Sequence, residues 1–118
     1  MYNVLVTGGA GFVGKHLVEE LHKLGYNITV VDSLEEQVHH GKKPVFPEGV
    51  RFVHGNIGDL DILKEVIPNT DVIFHEAALV GQGQGQYEIS RYFQNSVQAT
   101  ANLLDYLQNY PTSVKKII

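Results

Sequence analysis

Residues Thr7-Gly8-Gly9-Ala10-Gly11-Phe12-Val13-Gly14 hold Gly8, Gly11 and Gly14 three positions apart. The pattern suits a pyrophosphate: one glycine permits a tight turn, another lets backbone approach the anion, and the last lets a helix pack closely on a strand. The apolar run Tyr2-Asn3-Val4-Leu5-Val6 precedes it and the amphipathic stretch Lys15 to Leu24 follows. The spacing therefore predicts strand, turn and helix, with N–H groups at the helix start and the positive end of its dipole facing the anion. Asp32 closes a second apolar run, Asn27-Ile28-Thr29-Val30-Val31, read as a strand from its β-branched content. In such a unit an acid about 20 residues beyond the glycines accepts hydrogen bonds from a ribose 2′-OH. Its charge would repel a 2′-phosphate, so NAD rather than NADP is the expected cofactor. A residue that merely closes a turn beside Ser33 is the plainer reading; the strand, turn and helix around the glycines favour the ribose role.

The elements that must position these residues alternate along the chain. Strands are expected at about 2–7, 27–32, 50–54 and 71–75, with a fifth beginning near Val114. Helices are expected at about 12–24, 59–67 and 87–109. The first carries Val13, Leu17, Leu21 and Leu24 on one face, and Gly25 stops it with His22 and Lys23 in the last turn. The second has Asp59 or Asp61 as a cap and Pro68 beyond its end. The third places Phe93, Val97, Ala101, Leu104 and Leu107 on one face. Residues 33–49 read as a long loop with a helical turn near Glu35, and Gly81 to Gln86 as a glycine-rich stretch without regular structure. Alternating strands and helices with apolar strands imply an α/β fold, a Rossmann-like parallel sheet covered on both faces. Right-handed crossovers favour strand order 3-2-1-4, with the fifth strand outside the fourth.

The bulk numbers set limits. At 118 residues the chain is one domain, and 43% hydrophobic with 19% charged residues is a globular composition. The net charge of −4, without a basic cluster beyond Lys42-Lys43 and Lys115-Lys116, gives no nucleic-acid footprint. Cysteine is absent, so disulfides and thiolate chemistry are excluded. No apolar run approaches the ~20 residues that span a bilayer. The first strand runs straight into the glycine turn, leaving no room for a signal peptide, and a cytoplasmic location is expected.

With these residues in place the chain resembles the extended short-chain dehydrogenase/reductases, the NAD-dependent epimerase/dehydratase family. The family's T-G-x-x-G-x-x-G is matched by Thr7 to Gly14 and its acid after strand two by Asp32. Its G-D-h is approximated by Gly55-Asn56-Ile57, its H-x-A-A matched by His75-Glu76-Ala77-Ala78, and its N-L-L by Asn102-Leu103-Leu104. The matches are collinear and cover essentially the whole chain. Two stretches, Glu36-Gln37-Val38-His39 and Val80-Gly81-Gln82 to Arg91-Tyr92, look most like sugar-nucleotide 4-epimerases of the dTDP-rhamnose type.

The resemblance implies cofactor contacts at specific positions. Gly8, Gly11, Phe12, Val13 and Gly14 would surround the pyrophosphate, Asp32 and Ser33 the adenosine ribose, and Asn56 and Ile57 the adenine. Ala77, Ala78 and Val80 would line the middle of the cofactor, with Asn95 facing it from the last helix. Asn56 stands where the family has Asp, so its amide oxygen would accept from the adenine amino group without charge. Ala99 replaces a usual glycine and Ser96 a common asparagine. The family's catalytic Ser/Thr and Y-x-x-x-K follow the fifth strand. Within these 118 residues no Tyr is followed four residues later by Lys; the nearest pair is Tyr87 with Arg91, before the last helix, and arginine does not adjust its protonation as a catalytic lysine does. No catalytic residue is therefore assigned. The resemblance implies the NAD-binding part of an epimerase or dehydratase, inactive by itself and lacking the sugar-nucleotide domain. The alternative is a stand-alone dinucleotide-binding or assembly protein without catalysis.

Other residues read more plainly. His39-His40 are adjacent and no clustered carboxylate completes a metal set, so a solvated loop is the reading and no metal is assigned. His75 ends a strand beside the cofactor pocket and reads as a packing histidine or as one that supports the pocket from behind its lining residues. Tyr87, Tyr92 and Tyr106 are packing residues, and Lys42-Lys43 is a solvated loop. Family members commonly dimerise through the helix spanning about 87–109, so self-association is expected, with Phe93, Val97 and Leu104 on the exposed apolar face.

Overall fold

In the computed structural model, which describes residues 2–34, 44–77 and 89–118 (the side chains of Arg91, Tyr92, Gln94 and Asn95 excepted), side-chain alternation along the strands builds two cores. Strand β1 (Asn3–Thr7) sends Val4 and Val6 to one face and Leu5 to the other. Strand β2 (Asn27–Asp32) does the same with Ile28 and Val30 against Val31. Successive residues of a strand point to opposite faces, so a sheet apolar on both must be covered twice. Helix α1 (Phe12–Lys23) covers the first face with Val18 and Leu21. The second face is covered by helix α2 (Leu60–Val66) through Leu63 and Val66, and by helix α4 (Ala99–Asn109) through Ala99, Leu103 and Tyr106.

Strands β3 (Arg51–His54), β4 (Val72–His75) and β5 (Lys116–Ile117) complete the sheet. Its order is β3-β2-β1-β4-β5 with every pair parallel, the expected Rossmann-like topology. The chain winds outward from β1 through β2 to β3, then returns to lay β4 against the other side of β1. That reversal leaves a crevice at the carboxyl ends of β1 and β4, where sheets of this kind bind ligands. Among the described residues, the short helix α3 (Ile89–Tyr92) leads through a π-helical segment (Phe93–Gln98) into α4.

One expectation about helix faces is corrected and another is met. In α1 the buried residues are Gly14, Val18 and Leu21, while Val13 and Leu24 are exposed. Counting apolar residues selected Val13 and Leu24; packing selected Gly14, whose missing side chain is what lets the helix approach. In the last helix Phe93, Val97, Ala101 and Leu104 are exposed, and Ala99, Leu103 and Tyr106 face the sheet with Leu107 packed beside them. The helix carries two apolar stripes, and periodicity found the one turned away from the sheet. Gly25 ends α1 as expected, at φ +86, its N–H bonded to the His22 carbonyl. Asp59 takes the N-cap position of α2, but its side chain makes no capping bond; the Asn56 carbonyl receives the Asp59 N–H instead.

Candidate functional site

The glycine turn is shaped by contacts that only glycine permits. Gly8 adopts φ +69, and a Cβ placed there would lie 2.7–2.8 Å from the main chain of Glu76 and Ala77 at the exit of β4. A Cβ on Gly14 would strike the Gly8 carbonyl oxygen and come within 2.7 Å of the Gly9 Cα. Gly8 thus admits β4 and Gly14 admits the turn against α1. Gly11 differs: as N-cap of α1 it has extended φ and ψ, and a Cβ would meet only the Gly8 carbonyl oxygen, at 3.3 Å. Its surface is open.

Above Gly11 the first turn of α1 holds main-chain N–H groups of Phe12, Val13 and Gly14 with no acceptor among the described residues. The first helical hydrogen bond is from Lys15 N–H to the Gly11 carbonyl, at 2.9 Å. No acidic residue lies in this turn to neutralise the positive end of the helix from within it. Phe12 and Val13 are 83% and 61% exposed, and the Phe12 ring sits edge-on against His16. Both residues offer main chain to this opening rather than an apolar wall.

Asp32 does more than the sequence suggests. Its carboxylate is nearly buried, with Oδ2 accepting the Ala10 N–H at 3.0 Å and Oδ1 accepting the Leu34 N–H at 2.8 Å. One side chain therefore clamps the glycine turn to the loop after β2. Leu34 is held at φ +54, an uncommon conformation for a branched side chain, and its N–H bond to Asp32 spans two residues as in an Asx turn. The Ser33 carbonyl accepts a hydrogen bond from His54 Nε2 at 3.0 Å.

Asn56 lies past the end of β3, with Oδ1 accepting the Gly58 N–H at 2.7 Å. Ile57 is 3% exposed and belongs to the core under α2 and α4, so its main chain alone can reach a ligand. Ala99 packs against Gly58, where a Cβ would come within 2.9 Å of the Ala99 Cα; Asn102 Nδ2 donates to the Gly58 carbonyl at 2.9 Å. A glycine at 58 makes room for the Ala99 that replaces one. Ala77 reaches the crevice beside Gly8. Ala78, Val80, Glu36 to His39, His40 and Tyr87 lie outside the described residues. Asn95 stands on the π-helical segment, and its side chain is likewise outside them.

At the exit of β4, His75 joins Thr7 and Thr100. Thr7 Oγ1 is 2.7 Å from His75 Nδ1 and accepts the Ala77 N–H at 3.1 Å. His75 Nε2 is 2.7 Å from Thr100 Oγ1, which donates to the Ser96 carbonyl at 2.8 Å. Burial holds the His75 imidazole below its ordinary pKa, partly opposed by the charge of Glu76. Sequence reasoning took His75 for packing or for support behind the pocket, and did not connect it with Thr7 and Thr100. A threonine and a histidine ending neighbouring strands on the same face was the available signal. Among the described residues no three His, Cys, Asp or Glu side chains converge on a metal site, and no helix is long and apolar enough to cross a membrane.

Comparison with known proteins places this geometry. Residues 4–118 match the model of the NAD dependent epimerase/dehydratase family. A UDP-glucose 4-epimerase of Cyamopsis tetragonoloba is 35% identical over 98% of this chain and 34% of its own length. A UDP-glucose 4-epimerase of Neisseria meningitidis is 31% identical over 89% of this chain and 32% of its own. The Bordetella bronchiseptica enzyme WbmF, solved in complex with NAD+, superposes with a TM-score of 0.85 at 32% identity, over 98% of this chain and 34% of that one. The chain spans about a third of the length of the curated relatives it matches. The glycine turn, the acid after β2 and the parallel sheet reversing at β1 are family features in family order, and the chain belongs to the NAD dependent epimerase/dehydratase family.

Proposed function

We propose that this chain is the NAD-binding portion of a sugar-nucleotide 4-epimerase. The observation that carries the reading is the open first turn of α1 above Gly11, closed underneath by the glycine contacts and flanked by Asp32. Those residues fit a dinucleotide. The N–H groups of Phe12, Val13 and Gly14 hold the pyrophosphate, Gly8 shapes the turn beneath it, and Gly11 lets it approach. Asp32 and Ser33 take the adenosine ribose, Asn56 and the Ile57 main chain the adenine, and Ala77, Ala78, Val80 and Asn95 the middle of the cofactor. When bound, NAD supplies a hydride acceptor and donor for the sugar C4. The chain's own residues bind and orient it and exclude water around its adenosine half.

The substrate class is supported by relatives that include UDP-sugar 4-epimerases of plants and bacteria. The loop residues after β2 and β4 resemble dTDP-rhamnose-type 4-epimerases instead, so a nucleotide sugar is common to both and its base is what a substrate screen would decide. The Tyr-x-x-x-Lys pair that deprotonates a sugar hydroxyl in this family is absent from these 118 residues. Turnover belongs to the complete enzyme, and the chain supplies cofactor binding.

Titration calorimetry with NAD, NADP and ADP tests the reading. NAD should bind more tightly than NADP, because a 2′-phosphate would approach a carboxylate already held in place by Ala10 and Leu34. ADP should bind as well, since it carries the adenosine and diphosphate. Equal or tighter binding of NADP would remove the role given to Asp32. No binding of any of the three would leave the stand-alone assembly reading in its place.

A further inference from the structure

We propose that His75, as its neutral Nε2–H tautomer, is a positioning residue that latches the exits of β1 and β4 to helix α4, and that protonating it loosens the cofactor-facing main chain. The proposal rests on the cofactor site described above and adds a residue that does not itself touch the ligand.

The direction of every hydrogen bond in the chain of contacts is fixed from its two ends. At one end Ser96 offers a carbonyl, which only accepts, so the Thr100 hydroxyl donates to it and must accept from His75 Nε2. The ring proton is therefore on Nε2. At the other end the Ala77 N–H only donates, so Thr7 Oγ1 accepts it, leaving the Thr7 hydrogen for His75 Nδ1. Five groups on four segments thus share one run of bonds with every donor matched. The arrangement needs the neutral imidazole with its proton at Nε2 and admits no other state unchanged.

The atoms it fixes are those facing the crevice. Thr7 immediately precedes Gly8, is fully buried, and accepts the Glu76 N–H through its carbonyl as well as the Ala77 N–H through its hydroxyl. Gly8 lies against the Ala77 main chain so closely that a Cβ would have no room. Thr100 lies one residue past Ala99, which seats α4 on Gly58 and the adenine end of the site. Adding a proton at Nδ1 would make the ring donate to the second lone pair of Thr7 Oγ1 and would leave the Thr7 hydrogen without its acceptor. The groups facing the ring from β1, the π-helical segment and α4 are Thr7, Ser96 and Thr100, all uncharged; among the described residues the one charge acting on it is Glu76, on its own strand exit. One carboxylate beside a buried ring does not restore the lost bond.

The test uses the chain with 15N-labelled histidine, long-range 1H–15N spectra for the tautomer, and NAD titrations from pH 7.5 to 5.0. The expected spectrum shows His75 protonated at Nε2 alone at pH 7.5. NAD affinity of the unsubstituted chain should fall by about fivefold or more over this pH range, with a slope of at most one proton. His75→Ala should weaken NAD by about five- to tenfold at pH 7.5, the worth of a lost buried hydrogen bond. His75→Asn, whose Oδ1 can take the Thr7 proton, should recover affinity to within about threefold and bind with little pH dependence. Should His75→Ala fail to fold, the tautomer and the Asn variant still decide. A ring protonated at Nδ1 at pH 7.5, an Asn variant with the original pH profile, or an Ala variant with undiminished affinity overturns the positioning role while leaving the cofactor site standing. An unsubstituted chain that binds neither NAD nor ADP at pH 7.5 overturns the site itself and this role with it.

Discussion

Three glycine-to-alanine substitutions separate what the turn needs for folding from what it needs for binding. At Gly25 the residue has φ +86 and open space around it, so Gly25→Ala adds conformational strain alone, about 1–2 kcal/mol. At Gly8 the same strain is joined by overlap with β4, where the methyl would lie 2.7–2.8 Å from the main chain of Glu76 and Ala77. Main chain tied to the end of β1 through Thr7 gives way reluctantly, and overpacking of this kind costs about 1–3 kcal/mol. Gly8→Ala should therefore lose about 2–5 kcal/mol in all, the sum of the two costs. At Gly11 the backbone is extended and only the Gly8 carbonyl is near, at 3.3 Å, so Gly11→Ala should cost about 1 kcal/mol, from the N-cap preference for glycine over alanine, and less than Gly8→Ala. Its methyl would still stand in the opening where a pyrophosphate must approach, and NAD binding should weaken by about tenfold or more, the effect of one misplaced contact. Urea unfolding followed by circular dichroism gives the stabilities, and calorimetry the affinities. Equal losses for Gly8→Ala and Gly25→Ala would show that the close approach of β4 is not limiting. A Gly11→Ala protein that binds NAD undiminished would show that the anion does not sit on this turn.

Acid should weaken the fold through His75. Folding lowers the affinity of its imidazole for a proton, so below the ordinary pKa of 6.5 the unfolded chain takes up more protons than the folded one. The His75 contribution should be whole above about pH 6.5 and be lost as pH falls through the lower folded value; unfolding midpoints from pH 7.5 to 5.0, with His75→Asn for comparison, measure it, and parallel curves for the two proteins would refute it. The 118-residue chain with added NAD should turn over no UDP- or dTDP-sugar, since it holds no Tyr-x-x-x-Lys; steady conversion in a coupled assay would contradict this. Phe93, Val97 and Leu104 form an exposed apolar stripe on the helix through which family members commonly dimerise, and we expect the chain to self-associate there. Sedimentation at several concentrations should show mass rising with concentration and Val97→Glu reducing it; a monomer throughout would sink the expectation.

How far the sequence could be read depended on the kind of interaction concerned. The glycine turn, Asp32 and the strand order were legible because each rests on a local rule: fixed spacing, a β-branched run, a right-handed crossover. Helix faces were less so. In α1 the packing residue Gly14 has no side chain to register in a hydrophobic count, so Val13 stood in for it although Val13 points to solvent. In the last helix both stripes are apolar, and nothing local tells the sheet-facing one from the outer one. The left-handed Leu34 and the π-helical segment were invisible: Leu34 is held in a turn by the Asp32 carboxylate two residues before it, against what its branched side chain favours, and no residue pattern in 93–98 marks a π-helix.

The clamp formed by Asp32 changes how its chemistry should be understood. A residue chosen to face a ribose could sit on a flexible loop and wait for its ligand. Here each carboxylate oxygen accepts a main-chain N–H, one from the glycine turn at Ala10 and one from the loop at Leu34. Charge-assisted bonds to a nearly buried carboxylate are strong, so the acid is fixed before any ligand arrives. On the proposed reading the same negative charge that holds the glycine turn in shape would exclude a 2′-phosphate beside it. Loss of NAD selectivity in an Asp32 variant accordingly cannot be read as lost recognition alone, because the turn is released in the same step. Asp32→Asn separates the two. It keeps one acceptor oxygen and removes the charge, so NADP discrimination should fall in full while one of the two main-chain bonds survives.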